Sequence, residues 1–553
     1  MSLPIDITGT PFSRRGSYFA ISRVPDGIHL RTVRGDARQR EILRFSLGGV
    51  PTVDVRPGML TLARDPARVD VALSGSGRAI LRVTGNVTLD LRVRDQYDVV
   101  VEESATAWRF VDAGANRNYR LRLAGGAAHL DSAWDGVRNI RARLVVNGPA
   151  LLVVDEFGSS APADAEPDFD AVVTSAEADF ASWLHRHAPA ADVGAGGFDA
   201  AVRVAAFVTW AAMVPAGGLL RRESMLMSKN RMTNIWSWDH CFNAMALWRD
   251  PTAAADQIRT LFDHQDEHGC LPDYVNDAVV ERNFVKPPVH GWSIAWLLDR
   301  GGLPFAEAET LYEPLARWTD WWFTHRVYGD DGIPSYNHGN DSGWDNSTVF
   351  GTGVPVQSPD LLAFLALQML ALARIADHLG RPNDWRERAE ATVQTMSDHF
   401  WLDGRFIARH TVSQRPIESD SLITLMPLVL GELLPRAQFD ATVRRLLDGG
   451  YLTAHGPATE PPHSPEYVAD GYWRGPIWAP TTMLLVDGLR RGGRQDIADE
   501  ITRRFVATCA AAGMAENFDA VTGDGLRDPS MTWTASVFLC LVGTGAPLLP
   551  TGV

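Results

Sequence analysis

Carboxylates and tryptophans occur side by side in several loop segments of the second half of the chain. Trp236-Ser237-Trp238-Asp239 is one such segment, Ser342-Gly343-Trp344-Asp345 is a second, and Glu516-Asn517-Phe518 lies near a third cluster of aromatic residues. Aromatic rings pack on the apolar faces of pyranose rings, while carboxylates bond to the sugar hydroxyls. The combination predicts a carbohydrate site, although Asp239 by itself fits a helix N-cap equally well.

Two carboxyl groups are also the minimum equipment for hydrolysis of a glycosidic bond. One must be protonated to assist the leaving oxygen, and the other must be ionised to activate water or attack carbon. Asp341 and Asp345 are both candidates in the polar loop 336–347, and Glu516 is a weaker candidate on its own. Because Glu516 is far from both in the chain, only a closed fold can bring the two carboxyls together.

The periodicity of the chain changes near residue 160. Residues 1–160 contain short alternating segments such as 69–73, 79–83 and 88–93, separated by glycine turns. This pattern predicts an antiparallel β-sandwich. Residues 161–196 are predicted to be a linker and a first helix, and residues 197–553 a helical catalytic domain. Only three of the 18 tryptophans precede residue 200, so the first domain is not expected to hold the active site.

Thirteen segments after residue 167 show helical periodicity, with no convincing strand run between them. They lie near 168–187, 197–214, 238–249, 252–267, 289–299, 306–326, 358–379, 383–400, 420–433, 437–449, 476–491, 495–512 and 531–543. We expect an (α/α)6 barrel, in which six inner and six outer helices form a toroid. Periodicity alone does not separate this fold from a helical-repeat superhelix.

Composition excludes several classes of function. The 52 basic and 67 acidic residues give a net charge of −15, and no basic run is present, so we expect no nucleic-acid partner. No uninterrupted run of 18 apolar residues and no signal peptide are seen, which predicts no membrane partner and a cytoplasmic location. The four cysteines form no CxxC pair, and no metal or nucleotide motif is found. The sequence therefore predicts neither cofactor nor metal, and it leaves the oligomeric state open.

Five segments in order along the helical half resemble the (α/α)6 glycoside hydrolases, most closely family 63 and more distantly the trehalases of family 37. They are Trp236-x-Trp238-Asp239, Pro287-Pro288, Ser342-Gly343-Trp344-Asp345-Asn346-Ser347, Tyr472-Trp473-Arg474-Gly475-Pro476-x-Trp478 and Glu516-Asn517-Phe518. The nearest group within family 63 contains α-glucosidases and the mannosylglycerate and glucosylglycerate hydrolases. The resemblance implies an inverting hydrolase of an α-linked glycoside, with the α-glucosidic bond as the expected linkage.

The resemblance also assigns roles to residues. It implies that Asp345 is the general acid, with a raised pKa, and that Glu516 is the general base. The residues expected to contact a small-molecule carbohydrate are Trp236, Asp239, Lys286, Trp344, Tyr472, Trp473, Arg474 and Trp478. Tyr472-Trp473-Arg474 stands where trehalases usually carry Gln-Trp-Asp, which disfavours trehalose. Lys286 replaces a frequent glutamine, which suggests a charged aglycone such as glycerate.

Three alternatives use the same toroid. A phosphorylase would lack the base, so Glu516 argues against it. A sugar epimerase would exchange protons through histidines, and His240, His264, His290 and His338 keep it open. A carbohydrate-binding protein without catalysis would retain the aromatics and give no product.

Overall fold

The computed structural model describes residues 3–35, 40–188 and 198–543. These residues form two compact units. The first comprises Met1–His185, Ala206–Ala216 and Ser228–Thr233, and the second comprises Arg186–Ala205, Gly217–Met227 and Asn234–Val553. The first unit thus runs past the predicted limit at residue 160. The end of the predicted segment 161–196 and both ends of 197–553 lie outside the described residues.

The first unit is built on twelve antiparallel strands, as the alternating pattern predicted. They are β1 (Phe19–Val24), β2 (Gly27–Thr32), β3 (Arg40–Ser46), β4 (Thr52–Arg56), β5 (Met59–Arg64), β6 (Ala67–Ser74), β7 (Arg78–Thr84), β8 (Asn86–Leu91), β9 (Val99–Ser104), β10 (Ala107–Asp112), β11 (Arg117–Trp134) and β12 (Asn139–Phe157). The strand order is β1-β2-β3-β8-β12-β7-β6-β5-β4, and β11 joins β12 to β10 and β9.

Strand β12 connects two halves of this sheet. Its residues 143–147 pair with β8, and its residues 150–155 pair with β7. The change of neighbour falls at Gly148-Pro149, between the last residue paired with β8 and the first paired with β7. The side chains facing the interior along β12 are fully buried, with Leu144, Val146, Leu152 and Val154 each 0% exposed. The predicted combination of an antiparallel β domain and a helical domain is confirmed.

Twelve α-helices follow in the described residues. They are α1 (Phe169–His187), α2 (Asp199–Ala212), α3 (Asp239–Ala246), α4 (Pro251–Phe262), α5 (His290–Asp299), α6 (Phe305–His325), α7 (Pro359–Leu379), α8 (Trp385–Phe400), α9 (Arg436–Asp448), α10 (Ala479–Arg491), α11 (Gln495–Ala512) and α12 (Thr532–Gly543). A 3-10 helix, Leu422–Leu433, occupies the thirteenth predicted segment. It contains Pro427, which lacks an N–H donor, and Gly431 leaves helical geometry at φ 58°.

Six of these elements close into an inner ring in the second unit. Helix α3 packs on α5, α5 on α7, α7 on Leu422–Leu433, that segment on α10, α10 on α12, and α12 back on α3. Helices α4, α6, α8, α9 and α11 pack outside this ring. The ring explains how the loops before α3, α5, α10 and α12 come together although they are far apart in sequence. This is the predicted (α/α)6 barrel.

Helix α7 is the most apolar of the long helices. By length and composition Pro359–Leu379 could cross a membrane, but 89% of its apolar window is buried within the protein. That burial is typical of a core helix in the ring.

Short strands order the loops at one end of the barrel. Ile235–Trp236, Tyr274–Val275 and Val280–Glu281 form a three-stranded sheet, and Asn517–Phe518 pairs with Gly525–Leu526. The remaining short strands are Met213–Val214, Ser224–Met225, Val356–Gln357, Trp401–Leu402, Arg405–Phe406, Ala408–His410 and Pro416–Ile417.

Candidate active site

The loop that carries Asp345 is shaped by two glycines. A Cβ on Gly339 would lie 2.1 Å from the carbonyl oxygen of Asp345, and one on Gly343 would lie 2.7 Å from the Trp238 ring. Gly343 also ends the 3-10 turn Gly339–Ser342 at φ 74°, which favours glycine. The backbone around Asp345 therefore requires glycine at both positions, and a larger residue at 343 would displace the Trp238 ring.

Gly343→Ala is expected to destabilise the fold by about 2 kcal/mol, because the new methyl meets a buried ring in a left-handed backbone conformation. The free energy of unfolding from denaturant titration measures this. Gly332→Ala is the matched control, since Gly332 has φ 69° and open space around its Cβ position. An equal loss in both variants would mean that the Trp238 contact is unimportant.

Asp341 and Asp345 have clearly different environments, which indicate different roles. Asp341 is 1% exposed and accepts hydrogen bonds from Nη1 of Arg326 (2.6 Å) and from the backbone N–H groups of Val285 (3.1 Å) and Asn337 (2.8 Å). Its oxygens are therefore occupied in holding the loop. Burial raises the pKa of Asp345, and the charges of Lys286 and His338 oppose that rise. Asp345 is the carboxyl suited to proton transfer.

Glu516 precedes the short strand Asn517–Phe518 and is 6% exposed. Its backbone N–H donates to the carbonyl of Asp528 at 2.7 Å, and the N–H of Asp528 donates to Glu516 Oε2 at 3.3 Å. Burial first, and then the negative charge of Asp528, raises the pKa of Glu516 to about 7. A carboxyl with that pKa exchanges protons near neutral pH.

Tyr472 links the two carboxyls. Its hydroxyl bonds to Glu516, and the negative charges of Glu516, Asp345 and Asp239 add to burial in raising the Tyr472 pKa well above its usual value. Glu516 and Asp345 therefore both act electrostatically on the same phenol.

The backbone at Tyr472 is held in an unusual conformation, with φ 65°. Its carbonyl accepts from Trp478 Nε1 at 2.8 Å, and the guanidinium of Arg527 lies 4.8 Å from the centre of its ring. Arg527, itself at φ 64°, pairs with Asp470 at 2.9 Å. Non-glycine residues in this conformation concentrate at functional sites. Arg527 was not anticipated from the sequence, and the only hint was its position between Glu516 and α12.

Five tryptophans form one cluster around these loops. Trp473 and Trp478 stack with ring centres 4.0 Å apart at 3°, and Trp344 lies 4.9 Å from Trp473. Trp238 and Trp533 complete the cluster with edge contacts. Three of these rings are at most 1% exposed, namely those of Trp344, Trp473 and Trp478. Most of their surface therefore packs against other protein groups. Their contact with a sugar stays a prediction.

Trp236 differs from Trp344, Trp473 and Trp478 in that it is not fully buried. It is partly exposed and lies 5.3 Å from the ring of Tyr274, across the short strand pair that joins the two residues. The contact of Trp236 with a sugar stays a prediction.

Lys286 is buried among carboxylates. Its ammonium lies 3.1 Å from Asp273 Oδ1 and donates to both the carbonyl (2.8 Å) and the side-chain oxygen of Asn340. Two of the three N–H donors of the ammonium are thereby bonded to Asn340, while Asp273 Oδ1 forms an ion pair and has no hydrogen-bond partner among the described residues. Asp273 and Asn340 lie in the polar loop segments of the sequence but were not singled out, because neither carries a pattern that marks an ion pair across loops.

Asp239 lies at the first position of α3 and is 4% exposed. Its Oδ2 has no hydrogen-bond partner in the part of the chain that the structure describes. Burial raises the pKa of Asp239 well above its usual value, although the charge of Lys286 opposes this. A buried acceptor without a partner is costly, so it suits a ligand hydroxyl.

Arg474 is not brought to this group. Its guanidinium pairs with Glu466 at 2.6 Å, and Arg474 lines a cavity of about 460 Å³ that also includes Asn346, Arg405 and Glu460. The substrate contact predicted for Arg474 stays a prediction. The contact that the structure shows for its guanidinium is the ion pair with Glu466. Lys229, the only other lysine of the chain, donates to Ser13 Oγ and Arg14 O in the first unit.

One group of three carboxylates in the described residues has spacing compatible with a metal: Asp95, Asp98 and Asp112. Asp98 accepts from the backbone N–H groups of Arg94 (2.7 Å) and Asp95 (2.9 Å), and Asp112 pairs with Arg40 at 2.6 Å. These bonds account for the carboxylates as loop-ordering groups in the β unit.

Comparison with known proteins connects this site to a family. Residues 232–534 match the model of the mannosylglycerate hydrolase MGH1-like glycoside hydrolase domain. The chain is 26% identical over 407 residues to a mannosylglycerate hydrolase of Rubrobacter radiotolerans, covering 56% of this chain and 91% of the relative. It is 22% identical over 414 residues to a glucosylglycerate hydrolase of Mycolicibacterium hassiacum, covering 56% and 92%.

Solved structures show the same fold. The family 63 mannosylglycerate hydrolase of Thermus thermophilus, crystallised with Tris and D-glycerate, superposes with a TM-score of 0.52 at 20% identity. The match covers 62% of this chain and 98% of that one. A shorter match of 31% over 128 residues joins the chain to a periplasmic trehalase of Pseudomonas aeruginosa, covering 22% of this chain and 21% of the trehalase. The chain therefore belongs to the MGH1-like glycoside hydrolases of the family 63 type, with a more distant relation to trehalases, and it is a glycoside hydrolase.

Proposed function

We propose that the chain hydrolyses a glycoside of glycerate with inversion of the anomeric carbon, Asp345 acting as acid and Glu516 as base. The observation that supports the proposal is that Tyr472 interacts electrostatically with both Asp345 and Glu516, two carboxyls whose pKa values burial raises. The substrate class rests on the relatives, which are named for mannosylglycerate and glucosylglycerate. The sequence motifs alone favoured a general α-glucoside; the relatives favour the narrower class.

The proposed reaction needs opposite protonation of the two carboxyls. Asp345 donates its proton to the oxygen that leaves with glycerate, and burial favours that protonated form. Glu516 removes a proton from water on the opposite face of the sugar, and the Tyr472 hydroxyl bonded to it favours its ionised form. The Asp239 oxygen without a partner among the described residues is the proposed acceptor for a sugar hydroxyl.

The stereochemistry of the first product tests this mechanism. Hydrolysis of α-glucosylglycerate or α-mannosylglycerate, followed by NMR from the first turnovers, is expected to release the β-anomer before mutarotation. Release of the α-anomer would reject inversion. Absence of any product from either glycoside, with hydrolysis of a neutral α-glucoside instead, would reject the glycerate class and keep the glycosidase.

Lys286→Gln is expected to discriminate between charged and neutral substrates. Since two of its ammonium donors are bonded to Asn340 and the ammonium pairs with Asp273, we propose that Lys286 acts on the aglycone mainly through its charge. Loss of one positive charge in a poorly solvated site is expected to lower kcat/KM for a glycerate glycoside about tenfold more than for a neutral α-glucoside. The ratio of the two kcat/KM values is the measurement, because it does not depend on the folded fraction.

Lys229→Gln is the matched control for this ratio. It removes the other lysine, which bonds Ser13 and Arg14 in the β unit, so it is expected to leave the ratio unchanged. An unchanged ratio in Lys286→Gln as well would remove the charge hypothesis while leaving the acid and base assignments intact.

Two of the four histidines that an epimerase could use, His240 and His290, are unsuited to proton exchange near neutral pH. Burial lowers the pKa of His240 and His290 to about 3 each, and both are 1% exposed. These rings are neutral throughout the physiological range.

A further inference from the structure

Strand β11 has an edge that no other strand covers in the described residues. Residues 117–122 of β11 pair with β10 on one side, while residues 127–134 pair only with β12 on the other. Beyond Leu123, the outer edge of β11 faces no strand in the described ranges 3–35, 40–188 and 198–543. Because alternate residues of a strand direct their N–H and C=O groups to one side, about five residues of this stretch present backbone donors and acceptors along the outer edge.

Between the register shifts at Gly125/Ala127 and at Ala133/Trp134, this edge is regular and lacks several features that usually prevent strand pairing. Lysine, proline and clustered charges normally protect free edges. Residues 124–133 contain no proline or lysine, and Asp131 is the only acid among them. Gly125, Gly126, Ala127 and His129 are exposed, and a Cβ at Gly125 would meet nothing within 4 Å. A second strand could therefore approach closely.

Exposed apolar side chains lie at the end of the same hairpin. Trp134 is 54%, Val137 54%, Ile140 58% and Tyr97 64% exposed. Arg138 Nη1 donates to the carbonyl of Arg94 at 3.0 Å, which holds the hairpin turn beside the segment of Tyr97. An apolar group at the end of an open edge is a second, independent sign of a contact surface.

The sequence of the edge complements itself. If two copies pair antiparallel about a two-fold axis through Leu130, His129 of each copy lies opposite Asp131 of the other, and Ala127 lies opposite Ala133. Trp134 then lies opposite the second copy's Gly126, which carries no side chain. Leu130 lies across β11–β12 from Leu144, which is fully buried, so the Leu130 pair extends an existing apolar row.

We propose that residues 125–134 pair with the same residues of a second copy of this chain, joining two β units in one continuous sheet. An isologous contact of this kind needs only one surface, and it closes after two copies. A hydrogen bond between His129 of one copy and Asp131 of the other, beside the existing pair of Asp131 with Arg141, fixes the register, since a shift by one residue along either strand places these side chains on opposite faces.

Cysteine cross-linking tests the register directly. In the proposed pairing the two copies of residue 130 have Cα atoms roughly 4.5–5.5 Å apart, within the range that a disulfide bridges. Leu130→Cys is therefore expected to form a disulfide-linked dimer under mild oxidation. Ala127→Cys is expected to stay uncross-linked alone, because its two copies lie roughly 20 Å apart, and to cross-link when mixed with Ala133→Cys.

The native chain supplies the background for this experiment, since Cys241, Cys509 and Cys540 are buried and Cys270 is partly buried. Cross-linking of Ala127→Cys with itself, or none in Leu130→Cys, would overturn the proposed register.

The mass in solution tests the contact without cross-links. Light scattering is expected to give about twice the 60.6 kDa of one chain at micromolar concentration. Leu130→Lys is expected to give one chain mass, while Val50→Lys, at a residue 80% exposed outside this edge, is expected to remain a dimer. A native chain that is monomeric at all concentrations, or a Leu130→Lys chain that is still a dimer, would contradict the proposal.

Discussion

Glu516→Gln is expected to lower kcat by at least about a thousandfold while the fold survives. An amide cannot accept the proton of the attacking water, yet it keeps the shape of the carboxyl in its pocket beside Tyr472 and Asp528. Asp345→Asn is expected to fall by a similar factor on a glycoside with a poor leaving group, because no proton reaches the leaving oxygen. Steady-state kinetics on purified, folded variants measure both losses.

The two roles can be told apart by the leaving group. A nitrophenolate departs without a proton, so Asp345→Asn is expected to regain much of its rate on a nitrophenyl glycoside. Glu516→Gln is expected to remain slow on that substrate, since activation of water is still missing. Recovery in the opposite variant would exchange the assignments, and a fully active Glu516→Gln enzyme would reject the base.

Asp341→Asn is the control for an aspartate in the same loop. Its carboxylate pairs with Arg326 and accepts two backbone N–H groups, so the variant is expected to lose stability by about 3 kcal/mol. Activity per folded molecule should change far less than in Asp345→Asn. Equal catalytic losses in the two variants would mean that the loop as a whole, rather than Asp345, is needed.

The helices were predictable from sequence because their apolar periodicity is local. All thirteen predicted segments correspond to observed helices, and the bounds differ by a few residues. One difference has a visible cause: Pro427 and Gly431 turn the segment near 420–433 into a kinked 3-10 helix. The closed ring was harder to predict, because the contact of α3 with α12 depends on packing across nearly the whole domain.

Site residues that belong to a sequence motif could be predicted. Residues whose role depends on a contact between distant loops could not be predicted as well. Asp345 and Asp341 are both aspartates in the same polar loop, so the sequence does not distinguish their roles. The hydrogen bonds of Asp341 to Arg326 and to two backbone N–H groups distinguish them in the structure. Asp528 and Arg527 act on Glu516 through loop geometry that leaves no periodic pattern. The ion pair between Lys286 and Asp273 likewise joins two loops, and the sequence alone does not show that Lys286 has this partner.

The pH dependence of kcat/KM is expected to follow Glu516. Because the base must be ionised, the rate should rise with pH through a midpoint near 7, the pKa to which burial and Asp528 raise this group. Asp528→Asn removes a negative neighbour, so the midpoint is expected to move to lower pH. Tyr472→Phe removes a hydrogen bond that favours the ionised form, so the midpoint is expected to move to higher pH.

Protein stability should show the same ionisation with a predictable sign. Burial makes ionised Glu516 the costly form, so its folded pKa lies above the unfolded value of 4.5. The cost is absent below that value, grows between 4.5 and about 7, and is complete above 7. Glu516→Gln removes it and is expected to stabilise the protein at pH 8 by up to about 3 kcal/mol, with little effect at pH 4.5.

Denaturant titrations of the native chain and Glu516→Gln at several pH values measure this difference. The gain at pH 8 should coincide with the loss of activity, because the burial that makes ionised Glu516 costly also sets its pKa close to the working pH of a base. A variant that is inactive but equally stable at every pH would place the pKa of Glu516 near its ordinary value. The midpoint of kcat/KM near 7 would then belong to another group, and Asp528→Asn would leave it unmoved.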